Sequence, residues 1–82
     1  MKTVALTDFL TTEEIIKASQ IWKDPILRAM PVSIAQRICE NIIQPNLERI
    51  NKALGQENDP MYLAYAVEYV IGLTLLKTEQ NG

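Results

Sequence analysis

From Pro60 to Lys77 the chain reads PMYLAYAVEYVIGLTLLK. Between Met61 and Leu76 only Glu68, Gly72, Thr74 and the hydroxyls of Tyr62, Tyr65 and Tyr69 interrupt an apolar run. A helix that is apolar on nearly every side belongs inside something. In a chain of 82 residues that something is as readily a partner as the chain's own core, since a domain of this size buries only about 60–65% of its unfolded surface. A bilayer is the poorer host. The run is sixteen residues long where a span needs about twenty, and it carries a glutamate near its centre, where charge is costly.

On a helical wheel the run resolves into sides. Leu63, Val67, Val70, Ile71 and Thr74 form an aliphatic side, assigned to the chain's own core against Ile15, Trp22, Ile38, Ile42 and Ile50. Tyr62, Tyr65 and Tyr69 follow one another at i, i+3, i+7, with Leu76 continuing the line. Tyrosine has an apolar body and a polar tip, so this stripe reads either as the rim of the core or as an interface, where tyrosine is enriched. The thin core expected of so short a chain favours the interface. Its candidate residues are Tyr62, Tyr65, Tyr69, Gly72 and Leu76. Glycine in mid-helix costs roughly 0.5–1 kcal/mol against alanine, and a close helix crossing at Gly72 would account for it. Glu68, the one charge, must face solvent or meet Arg28, Arg37 or Arg49, because an unpaired buried carboxylate is costly.

The rest of the chain reads as further helices around this one. Residues 1–6 (MKTVAL) form an extended arm, and Thr7 or Asp8 caps a single turn holding Phe9 and Leu10. Thr11 and Glu14 have capping-box spacing, and Leu10 with Ile15 that of a hydrophobic staple, so a helix is expected over about 11–23. Asp24-Pro25 ends it and opens a short helix over 25–30 that tucks Ile26, Leu27 and Met30 under the bundle. A third helix runs over about 33–54, from Ser33 and Gln36 as a capping box to Gly55 as a C′ glycine. Its apolar residues change face by about a quarter-turn between Ile42 and Ile50, and Pro45 removes the bond to the Asn41 carbonyl. The helix is therefore kinked or broken near Gln44. Asp59-Pro60 launches the last helix, expected over 60–77, with 78–82 (TEQNG) as a frayed tail. The fold class is all-α, a small bundle of three main helices in a single domain covering 1–82.

The chemistry-bearing residues are sparse. There is no histidine and one cysteine, Cys39, which stands on an apolar face between Ala35 and Ile42. A disulfide within the chain is excluded, in keeping with a reducing, cytoplasmic setting. The usual nucleophile–base pair and the usual metal spacings are missing, and Cys39 reads as a buried structural thiol. The three glycines, Gly55, Gly72 and Gly82, form no phosphate-cradling loop. No cofactor or metal site is expected, and neither is catalysis.

With a net charge of −2, broad contact with nucleic-acid phosphates is disfavoured. Residues 25–43 (PILRAMPVSIAQRICENII) nonetheless have the outline of a helix-turn-helix, which would place Gln36 and Arg37 as the nucleic-acid contacts of a small DNA-binding regulator. Against it stand Pro31 where a turn glycine would be expected, a short first helix and a small basic excess. The reading favoured by the residues is a non-enzymatic, self-associating interaction, adaptor or regulatory module, a homodimer through the tyrosine stripe.

Overall fold

A computed structural model describes the backbone of residues 5–30 and 32–81, and the side chains of the same residues up to 77. A short 3-10 turn, Leu6–Asp8, leads into α1 (Thr12–Lys23) and α2 (Pro25–Arg28). Next come α3 (Ser33–Ile38), a π turn (Cys39–Ile43), a 3-10 turn (Gln44–Asn46), α4 (Leu47–Leu54) and α5 (Pro60–Asn81). The architecture is all-α. The arm expected over 1–6 falls mostly outside the described residues; Ala5 is extended, whereas Leu6 already belongs to the 3-10 turn.

Local signals place most of the boundaries. The Thr11 hydroxyl accepts from the Glu14 N–H at 3.2 Å while Glu14 Oε1 accepts from the Thr11 N–H at 2.8 Å, closing the capping box. Asp24 accepts from the Ile26 N–H at 2.9 Å at the start of α2, and Asp59 from the Met61 N–H at 2.8 Å at the start of α5. Gly55 ends α4 in the left-handed region at φ 75°, and its N–H reaches the Asn51 carbonyl at 2.9 Å. That conformation is nearly free for glycine alone. The Asn58 side chain and N–H then bond Asn51 Oδ1, at 3.1 and 3.0 Å, to set the turn into α5. At the far end α5 runs on to Asn81, past the Lys77 at which fraying is predicted. The segment TEQN contains neither proline nor glycine, so nothing in it interrupts the backbone ladder.

The third helix departs from its expected start. Val32 stands at the N-cap with no side-chain cap and Ser33 is already helical, so the Ser33–Gln36 capping box does not form. The irregularity expected near Pro45 is present as a wider turn followed by a tighter one, and Asn46 leaves helical backbone at φ −120°, ψ 16° before α4. The Gln44 N–H reaches back to the Cys39 carbonyl, a π bond, before Gln44–Asn46 tightens into 3-10 geometry. Asn46 Nδ2 donates to the Ile42 carbonyl at 2.8 Å, supplying a donor where the ladder is disturbed. The extra residue in the turn rotates the chain, so that Ile38, Cys39, Ile42, Ile43 and Ile50 are all buried. A regular helix would set Ile42 and Ile50 about 80° apart.

These residues meet Phe9, Leu10, Ala18, Trp22, Ile34 and Ala35 and the inner side of α5, namely Leu63, Ala64, Val67 and Ile71, in one core. α5 packs on α1, α3 and the π turn. Three placements differ from expectation. Ile26 and Met30 are exposed rather than tucked under the bundle, because α2 ends at Arg28 and only Leu27 turns inward. Val70 and Thr74, assigned to the core, lie on the outside. Ala64 is buried in their place, because its small side chain admits a close neighbour.

Arg49 ties the ends of this core together. Its guanidinium holds both Glu14 carboxylate oxygens, at 2.6 and 2.7 Å, and donates to the Phe9 carbonyl at 3.4 Å. Burial pushes the Glu14 carboxyl up, but the Thr11 N–H and Arg49 outweigh it and hold the group below its ordinary value of 4.5. A depressed folded value means that stability is present at neutral pH and is lost as pH falls below 4.5 through the folded value. Glu14→Gln should lower the melting temperature at pH 7 and flatten its decline in acid. Thermal melts between pH 2 and 7 check both.

Candidate protein interaction face

The inner side of α5 is fixed by α1 and α3, and this decides which side is left outward. Gly72 is a point of close approach. A Cβ built there would lie 3.0 Å from Trp22 Nε1, so the close crossing expected at this glycine is with the Trp22 indole. Gly72 is buried by it and is not part of the outer surface. The Arg28 guanidinium lies over the same indole, 4.3 Å from the ring centroid, a cation–π arrangement.

Glu68 finds neither solvent alone nor an arginine. It is half-buried, and the backbone N–H of Ala35, in the first turn of α3, is the group that favours its charged form. That helix begins without a cap of its own, and its first N–H groups lack intrahelical partners. Negative charge is favoured at that end by the helix dipole. Burial pushes the Glu68 carboxyl above its ordinary value of 4.5, and the Ala35 N–H draws it part of the way back. The candidate arginines go elsewhere. Arg49 pairs with Glu14, Arg28 lies on Trp22, and Arg37 is exposed on α3.

With Glu68 turned inward, the outward side of α5 is apolar along its length. Tyr62, Tyr65 and Tyr69 are exposed, Tyr62 and Tyr69 by about two-thirds of their surface, and Val70, Leu73 and Leu76 continue the strip. The structure therefore brings four of the five candidate interface residues together (Tyr62, Tyr65, Tyr69 and Leu76) and adds Val70 and Leu73. The wheel alone did not separate these two, because neither side chain differs in character from its buried neighbours. Two hollows flank the strip. One, of about 400 Å³, lies beside its C-terminal half and is walled by Trp22, Arg28, Met30 and Ile34 against Glu68 and Gly72. The other, of about 390 Å³, lies beside its N-terminal half between Phe9, Leu54, Tyr62, Ala66 and Val70.

The remaining candidates are less well assembled. Gln36 and Arg37 are both exposed on α3, but α2 has 4 residues and α3 has 6 before the π turn, and Pro31 lies outside the described residues. A recognition helix needs more regular length than this to present several side chains along a groove. Cys39 is buried; burial, reinforced by the negative charges of Asp59 and Glu40, pushes its thiol up and away from the reactive thiolate. No described helix is long and apolar enough to cross a membrane.

Two outcomes follow from these contacts. Because the folded chain holds the Glu68 proton more tightly than the unfolded chain does, Glu68 makes stability fall as pH rises from 4.5 through its folded value. This is opposite in sign to Glu14, and Glu68→Gln should remove the decline in melts taken from pH 4 to 8. At Gly72, alanine should be near neutral in urea unfolding, the gain in helix propensity of about 1 kcal/mol offsetting the tight contact. Valine should cost about 1–3 kcal/mol by forcing the indole aside. Comparison with known protein families, with curated proteins and with solved structures finds no match to this chain.

Proposed function

We propose that this chain is a non-enzymatic interaction module that works as a homodimer, with the outer side of α5 as the surface through which two copies meet. The observation that carries this reading is the exposed strip Tyr62, Tyr65, Tyr69, Val70, Leu73 and Leu76. It is an apolar surface running along a helix whose one mid-run charge, Glu68, is half-buried. Contiguous apolar patches of this kind are the surfaces that proteins cover with partners. The tyrosines suit the role because they add contact area while keeping a polar tip for water in the free state.

An adaptor or regulatory role in a reducing compartment such as the cytoplasm accords with the rest of the chain. The single cysteine is buried, histidine is lacking, and the surface offers a face rather than a deep cleft. The nucleic-acid reading is the weaker one, since its two helices are the shortest in the fold.

Light scattering at micromolar concentration should return twice the chain mass. Tyr69→Glu and Leu73→Glu should each return the single-chain mass with helical circular dichroism retained, because both side chains project from the fold. Lys52→Glu, exposed on α4 away from the strip, should remain dimeric. A single-chain mass for the unaltered protein across that range sinks the reading.

A further inference from the structure

We propose that the two copies pair through α5 in antiparallel register centred on Tyr69, with Tyr65 of each copy seated in the Trp22–Arg28 hollow of the other. This rests on the self-association proposed above and specifies its geometry.

The shape of the strip supplies the first argument. Tyr62, Tyr69, Leu73 and Leu76 run down its middle. At about 100° per residue, Tyr65 projects on the edge shared with Glu68 and Gly72, while Ala66, Val70, Lys77 and Asp59 share the opposite edge. The Trp22–Arg28 hollow opens on the Tyr65 edge, but beside residues 68–76 rather than beside Tyr65 itself. A twofold axis perpendicular to two antiparallel helices keeps each edge on its own side and reverses its direction. Centred on Tyr69, it sets Tyr65 of one copy level with Leu73 of the other, on the edge where that hollow opens. The aromatic ring then meets Trp22, Met30 and Ile34, with the Arg28 guanidinium and the Glu68 carboxylate on the same hollow as partners for the hydroxyl. By the same operation Leu73 of the second copy reaches the level of the Phe9–Leu54 hollow on the other edge.

Charge supplies the second argument. Asp59 and Lys77 stand at opposite ends of the run, both exposed and both on one edge. Antiparallel pairing brings Lys77 of each copy to the Asp59 end of the other, and it opposes the two helix dipoles. Parallel pairing gathers the two Asp59 ends together and the two Lys77 ends together. Opposite charges at the rim of an apolar strip set orientation more than affinity.

Cysteine cross-linking on a Cys39→Ala background reads the arrangement directly. Tyr62→Cys mixed with Leu76→Cys should give a covalent dimer on mild oxidation while neither variant links to itself, and Tyr69→Cys should link to itself. In the uncross-linked protein, Tyr65→Ala should weaken dimerisation by about 30-fold or more, as loss of a central aromatic anchor does, and an unchanged dissociation constant overturns the seating of Tyr65. Light scattering on the same samples separates the two proposals. A dimeric mass with self-linking Tyr62→Cys or Leu76→Cys, or with any other pattern of links, overturns the antiparallel arrangement and leaves self-association standing. A single-chain mass overturns both.

Discussion

The indole of Trp22 lies across Gly72 with no room to spare, a Cβ at that position falling 3.0 Å from Nε1. The contact sets how closely α1 approaches α5, and much else depends on it. It fixes the rotation of α5 about its own axis, so that Ala64, Val67 and Ile71 turn inward and the tyrosines turn out. It also positions Trp22 as the floor of the hollow beside the outer strip, with Arg28 closing the wall above the ring. A larger residue at Gly72 would push the two helices apart and change both the core and the face.

The second constraint is Pro45. A proline inside a helix removes a hydrogen bond and crowds the preceding turn, yet here it is accommodated within a continuous path of helical turns. The π turn spreads the disturbance over Cys39–Ile43, and Asn46 returns a donor to the Ile42 carbonyl. The gain lies in packing. Isoleucines from both halves of the segment reach the core, and full burial of each contributes roughly 1.5–3 kcal/mol. For a domain with little interior, aligning the two halves matters more than one ideal hydrogen bond.

Glu68 joins these two themes. Glu68 stands half-buried near the start of α3, where the Ala35 N–H favours its charged form while burial opposes it. A charge that would have marked the outer strip as solvent-facing is thereby withdrawn from it.

Capping residues, proline positions and the Gly55 turn are local chemistry, and they sufficed to read the helices, the bend near Pro45 and the all-α class from the chain alone. The same is true of the tyrosine side of α5, since three aromatics at helical spacing share a face wherever the helix lies. What local chemistry could not reach was rotation and partnership. Val70 and Ala64 exchange their expected places because the two stand about 120° apart on the helix, and the packing of α5 on α1, with Trp22 against Gly72, turns the Ala64 side inward. The Ser33 cap does not form because the helix starts one residue earlier than that cap requires, with Val32 at the N-cap and the Gln36 N–H bonded to the Val32 carbonyl. Periodicity reports which residues travel together on a helix; only packing in three dimensions sets which way they point and what they touch.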